Sequence, residues 1–315
     1  MTLFAMTFPG QGSQSVGMLA ELAAAYPVVG ETFEQASDAL GRDLWKLVCD
    51  GPAEELNRTE LTQPALLAAA IAVWRVWRLE GGPGPERMAG HSLGEYSALV
   101  AAEALEFSDA VAVVAERGRL MQSAVSDGEG AMAAILGLDD EVVEAICREA
   151  AEGRVVEPAN YNSPGQLVIA GNADAVERAI HKCKEAGAKR AMTLPVSVPS
   201  HCTLMSPAAD ALGELLAETP LRPPAVAVVH NVDCQPRSEP DAIRQALVEQ
   251  LCSPVRWTGS VRSLIDGGVE RLAECGPGKV LSGLGRRIDR NVEWVALEQP
   301  ERLQATAAEW KEKRA

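Results

Sequence analysis

The chain has 315 residues, 47% hydrophobic and 23% charged, an ordinary globular composition with room for one large domain carrying an insertion or for two domains. Its 29 basic against 44 acidic side chains leave a formal charge of −15, which argues against non-specific binding to nucleic acid or an anionic membrane. No apolar run approaches the roughly 20 residues of a membrane span, and no basic residue precedes the apolar N-terminus as in a signal peptide.

Strands and helices alternate along almost the whole chain. Leu3 to Phe8 reads as a buried strand, followed by a glycine loop, Pro9-Gly10-Gln11-Gly12-Ser13-Gln14, and by helical stretches reaching Leu79. The apolar run Pro64 to Trp74 fits a buried helix, and Gly81-Gly82-Pro83-Gly84-Pro85 is a break. Met88-Ala89 ends a short strand, Gly94 to Glu103 is helix-compatible, and Ser108 reads as the N-cap of the next helix. From Ser126 the pattern becomes β-α-β-β-α-β: Ala131–Leu136, Asp139–Glu152, Val155–Tyr161, Gln166–Ala170, Ala173–Glu185 and Arg190–Leu194. That is the ferredoxin-like split arrangement, a subdomain over residues 126–197 inserted into a larger domain of residues 1–125 and 198–315. Beyond it come a helix (Cys202–Ala217), a strand (Val226–Val229), helices at Asp241–Gln250 and Val261–Ile265, and a strand (Val269–Ala273). Gly276-Pro277-Gly278-Lys279 then reads as a turn before a helix. The alternation predicts an α/β fold with a mostly parallel sheet covered on both faces.

Gly90-His91-Ser92-Leu93-Gly94 fits the nucleophile elbow, in which a serine sits on a strained strand-to-helix turn and the glycines allow close backbone approach. Serine needs an adjacent base. Of the four histidines, His91 is directed into the scaffold by the elbow and His181 lies in a polar helix; His201 and His230 each follow a predicted strand. Sequence spacing alone does not separate those two, and no carboxylate stands out as a third triad member. Backbone N–H groups of Leu93, after the nucleophile, and Gln11, in the first glycine loop, are placed to form an oxyanion hole. The glycine loop is neither a dinucleotide fingerprint nor a P-loop, since no third glycine or Lys-Ser/Thr follows in register. The seven cysteines are scattered, without a Cys-x-x-Cys pair, so a reducing cytoplasmic setting is expected. Cys202 beside His201 is expected to be a packed residue, since neighbouring side chains diverge.

Phe8–Gln14, Gly90–Glu95, Arg117-Gly118, Asn162–Gln166, Val198–His201 and Glu274–Gly278 occur in an order that resembles the malonyl-CoA:acyl carrier protein transacylases of bacterial type II fatty acid synthesis. The resemblance spans nearly the whole chain. It implies an α/β-hydrolase-like large domain with a ferredoxin-like insertion. It also implies that His201 is the base, its far nitrogen held by the main-chain carbonyl of Gln250, and that Arg117 binds the malonyl carboxylate. An arginine in an apolar helical stretch is costly to bury without such a partner; an ion pair with Glu116 is the alternative. In related domains a bulky residue at the position of Ser200 excludes branched extenders, and the small Ser200 gives no such block.

Such an enzyme would pass malonyl from malonyl-CoA to Ser92 and then to the phosphopantetheine thiol of acyl carrier protein. Neither a metal nor a redox cofactor is expected, and the expected state is a monomer. Lys182, Lys184, Lys189, Arg190, Arg286, Arg287 and Arg290 are candidates for docking the acidic carrier. A stand-alone polyketide acyltransferase would look nearly the same; a serine esterase or thioesterase would share the elbow without needing Arg117.

Overall fold

Every residue of Phe4–Phe8 is buried, as the middle strand of a covered parallel sheet requires. In this computed structural model, which describes residues 3–126, 128–196 and 198–313, that strand is β1. After it come β2 (Arg87–Gly90), β3 (Gly130–Leu136), β4 (Val156–Ser163), β5 (Gln166–Asn172) and β6 (Arg190–Thr193). The last three are β7 (Ala227–Val229), β8 (Arg271–Glu274) and β9 (Glu293–Ala296).

The strands form two sheets. One is parallel throughout, in the order β7-β2-β1-β8-β9; the other is antiparallel, in the order β4-β5-β3-β6. Alternation along β1 divides the large core. Phe4, Met6 and Phe8 join the cluster containing the helices Pro27–Leu40, Thr59–Leu79 and Phe107–Ser123. Ala5 joins Trp257, Val261, Leu281 and Trp294 on the other face. The β-α-β-β-α-β order expected for the small sheet is present, with the helices Asp140–Ala151 and Ala173–Glu185 on one face. The other face presents Met132, Ala159, Val168 and Ala170 to Cys202. β4 also bonds outside its sheet: Tyr161 N–H donates to Val255 O at 2.9 Å and Val255 N–H to Ala159 O at 2.8 Å.

Two expectations need correction, and two elements lie beyond them. Ser108 is not an N-cap, because the helix begins at Phe107, whose ring is buried and sets the start by packing. The helix expected from Cys202 begins at Ser206, where Pro207 is tolerated, and a 3₁₀ turn, Thr203–Met205, precedes it. β9 and the helix Pro300–Glu312 were not anticipated. No helix among the described residues is long and apolar enough to cross a membrane.

The strand-to-helix crossing at β2 is the tightest point of the fold. A Cβ on Gly90 would lie 1.8 Å from the Gly94 carbonyl carbon, and one on Gly94 would lie 2.1 Å from Phe8 O. Backbone, not a flexible side chain, fills both spaces. Gly94→Ala is therefore expected to cost about 3 kcal/mol or more of stability through overpacking. Gly30→Ala, in open space within the helix Pro27–Leu40, is expected to add about 0.5–1 kcal/mol. Urea denaturation midpoints check both; equal midpoints for the two variants would contradict this packing.

Candidate active site

Ser92 and Asn231 lie in loops at the carboxyl ends of parallel strands, the usual ligand side of an open α/β sheet, whereas His201 comes from the segment after β6 of the small sheet and Arg117 from the helix Phe107–Ser123. Ser92 follows β2 with φ at 52°, the left-handed conformation an elbow imposes. Asn231, just after β7, holds it there. Its Oδ1 accepts the Ser92 N–H at 2.8 Å, and its Nδ2 donates to Gly90 O at 2.7 Å.

His201 lies in the turn before the helix Ser206–Glu218, also with positive φ, 64°. Its Nε2 is 2.8 Å from Ser92 Oγ, and its Nδ1 is 2.7 Å from the Gln250 main-chain oxygen. A carbonyl can only accept, so Nδ1 carries the proton and the Nε2 lone pair faces the serine. Burial first, and the neighbouring Arg117 charge second, push the imidazole down to about 3, leaving it neutral at pH 7. The other histidines are turned elsewhere. His91 Nε2 meets Asn162 Oδ1 at 2.8 Å, and His91 packs against Trp257 at 5.6 Å between ring centroids. His230 is buried with its Nδ1 2.5 Å from Glu95 Oε1, and His181 is exposed. Cys202 donates to Pro199 O at 3.1 Å, away from His201, and burial raises its thiol to about 12.

Arg117 is 1% exposed. Its Nη1 donates to Gln63 Oε1 at 2.8 Å; its Nη2 donates to Gln250 Oε1 at 3.0 Å and to Ser92 Oγ at 3.2 Å. The Tyr96 ring lies 5.6 Å from Cζ, and Nε has no partner among the described residues. Glu116 pairs with Arg119 instead. Among the described residues, no carboxylate lies within ion-pair distance of this buried guanidinium. Burial lowers its pKa from the ordinary value, with Tyr96 and Glu95 opposing.

A cavity of about 130 Å³ opens beside these groups. Gln11, Ser92, Leu93 and His201 line its reactive end, and Met121, Met132, Leu194, Val196 and Val198 its apolar wall. Leu93 precedes the helix Gly94–Ala101, at an end where N–H groups lack intrahelical acceptors. Ser200 also lines the cavity. Sequence reasoning did not single out Gln63, Asn231, Glu95 or the Gln250 side chain. Gln63 had a signal, being a polar residue at the head of the apolar Pro64–Trp74 run. Of the basic residues considered for docking, Lys182 pairs with Glu149, while Lys184, Lys189, Arg190, Arg286 and Arg290 are exposed. Arg287, also exposed, reaches from beside the parallel sheet to Gln166 Oε1 on β5 at 2.7 Å.

The acyl transferase domain model matches residues 6–291. The malonyl CoA-acyl carrier protein transacylase of Escherichia coli K12 is 60% identical over 305 residues, covering 97% of this chain and 99% of that one. The structure of the Coxiella burnetii malonyl CoA-acyl carrier protein transacylase superposes with a TM-score of 0.97 at 52% identity, covering 98% of each chain. A malonyl-transacylase solved with a holo type II polyketide acyl-carrier protein superposes with a TM-score of 0.97 at 55% identity, covering 98% of this chain and 100% of that one. With so much of its length matched, the chain belongs to the acyl transferase domain family, among the malonyl-CoA:acyl carrier protein transacylases.

Proposed function

We propose that this chain transfers malonyl from malonyl-CoA to the phosphopantetheine thiol of acyl carrier protein, supplying the extender unit for fatty acid synthesis. The observation that carries this reading is the meeting of three groups: Ser92 Oγ lies 2.8 Å from His201 Nε2 and 3.2 Å from Arg117 Nη2. A nucleophile, its base and an anion-binding cation share one point.

His201 Nε2 takes the Ser92 proton as Oγ attacks the thioester carbonyl. The Gln11 and Leu93 N–H groups receive the charge that builds on the carbonyl oxygen. The C–S bond then breaks, and the imidazolium, disfavoured beside Arg117, returns its proton to the coenzyme A thiolate. Malonyl-Ser92 remains with its carboxylate on Arg117, which offers parallel N–H donors of the kind a carboxylate accepts. The carrier thiol gives its proton to His201 and attacks the ester carbonyl. The bond to Ser92 Oγ then breaks, Oγ takes the proton back from His201 Nε2, and the carrier departs with the malonyl group. A pantetheine arm gains positioning along the cavity that free water cannot. Selection for a free carboxylate distinguishes this site from a general serine esterase.

The fold reading is an α/β-hydrolase-like unit of residues 1–125 and 198–315 with a ferredoxin-like insertion at 126–197. The sheet order β4-β5-β3-β6 and the elbow after β2 support it; Ser197 at the second junction and the terminal residues 1, 2, 314 and 315 lie outside the described residues. The exposed basic residues named above are the docking candidates, the expected state is a monomer and the expected location is the cytoplasm. Neither a metal nor a redox cofactor is called on in any step. The polyketide carrier bound to the relative at 55% identity favours a second reading, in which the same chemistry loads a polyketide carrier.

Two outcomes are expected. Intact-mass spectrometry should show one malonyl adduct after mixing with malonyl-CoA, stable in buffer and discharged by holo carrier protein. Ser92→Ala should show none; an adduct on that variant, or rapid hydrolysis indifferent to thiols, would overturn the reading.

The second concerns pH. Because the His201 pKa is lowered from 6.5 to about 3, the base stays deprotonated as pH falls through 6.5. Activity is lost only as pH approaches the lowered value. The kcat/KM for Ser92 acylation should thus stay flat from about pH 8 to about pH 5. A half-loss near pH 6.5, read by quenched-flow mass spectrometry, would contradict the buried, Arg117-facing environment of the base.

A further inference from the structure

Glu95 is fully buried in the first turn of the helix Gly94–Ala101, and none of the steps above uses it. It accepts three hydrogen bonds: from His230 Nδ1 at 2.5 Å, from the Asn231 N–H at 3.0 Å and from Gln250 Nε2 at 2.6 Å. Gln250 Nε2 also donates to Ser92 O at 3.1 Å, while Gln250 Oε1 accepts from Arg117 Nη2 at 3.0 Å. One amide therefore stands between a buried carboxylate and a buried guanidinium.

That amide has a single workable orientation. A carboxylate and a main-chain carbonyl can only accept, so the NH₂ must face Glu95 and Ser92, which leaves the oxygen for Arg117. A flipped amide would set donor against donor at Arg117 and acceptor against acceptor at Glu95. The spacing matters as well. A carboxylate touching Arg117 would occupy the donors a substrate carboxylate needs. At one amide's remove, Glu95 opposes the guanidinium charge without taking a donor, and Arg117 Nη2 stays 3.2 Å from Ser92 Oγ, which lines the cavity.

We propose that Glu95 is a positioning residue for donor selectivity, its carboxylate orienting the Gln250 amide and, through it, the Arg117 guanidinium toward a carboxylated acyl group. This rests on the reading of Arg117 as the holder of the malonyl carboxylate. Glu95→Gln keeps the shape but removes the charge and the strict acceptor character, so the Gln250 amide is no longer held one way.

The test is steady-state transfer from malonyl-CoA and from acetyl-CoA to holo carrier protein, compared as a ratio of kcat/KM, with thermal melting alongside. Glu95→Gln is expected to lower the malonyl-to-acetyl ratio about tenfold or more, mainly through a raised KM for malonyl-CoA. Gln250→Met, which leaves the buried carboxylate in place, should lower the ratio similarly. The double variant should be no worse than the more affected single one, as members of one network behave. An equal fall for both donors in Glu95→Gln, or in Gln250→Met where the Glu95 variant does not fold, overturns the proposal and leaves Glu95 structural. So does additivity in the double variant. Arg117→Met separates the two levels: if it leaves the ratio unchanged, the reading of Arg117 itself fails. If it collapses the ratio while the Glu95 and Gln250 variants do not, only the role of Glu95 falls.

Discussion

A guanidinium buried to 1% exposure, with no carboxylate in contact among the described residues, is the constraint around which this site is arranged. Burial of an isolated charge costs several kcal/mol even after relaxation, and three neutral oxygens offset only part of it. The usual remedy, a direct salt bridge, would close the site. Gln63, Gln250 and Ser92 instead supply acceptors to Arg117 without occupying it with negative charge. Under the proposed function, the donor's own carboxylate completes the pairing, and selectivity follows from a cost already built into the empty enzyme.

The same charge shapes the base. Arg117 adds to burial in holding the His201 imidazole neutral. A neutral base is ready at ordinary pH, and its protonated form is short-lived because it faces another cation. Gln250 couples the two through different atoms: its main-chain oxygen fixes the His201 tautomer and its side chain steadies Arg117. Asn231 acts on the backbone, pinning the left-handed Ser92 that a relaxed loop would release. Ser92, His201 and Arg117 are thus braced by two amide residues reaching in from separate elements, and Glu95 accepts from both.

Much of the frame was legible because it is written locally. The elbow needs glycines two residues either side of Ser92, and the small sheet follows from apolar periods that switch between two and 3.6 residues. The helix Ala173–Glu185 matches its expected bounds. The helix start at Phe107 and the late start at Ser206 were misread because packing and a left-handed His201 outweigh capping propensity there. The bracing network was not legible. The side chains of Gln63, Gln250 and Glu95 lie 54 to 158 positions from the groups they bond, and an isolated glutamine carries no periodic signal. Spacing alone left His201 and His230 level, the family resemblance pointed to His201, and the fold supplies the physical reason, with His230 turned to Glu95.

The central claim is that Arg117 exchanges neutral acceptors for the donor's carboxylate when Ser92 is acylated. A crystal structure of the malonyl-Ser92 enzyme tests it directly. The account predicts carboxylate oxygens about 2.7–2.9 Å from the Arg117 nitrogens, with His201 still on the Gln250 carbonyl. A malonyl carboxylate directed to solvent, with Arg117 unmoved on Gln63 and Gln250, would contradict it.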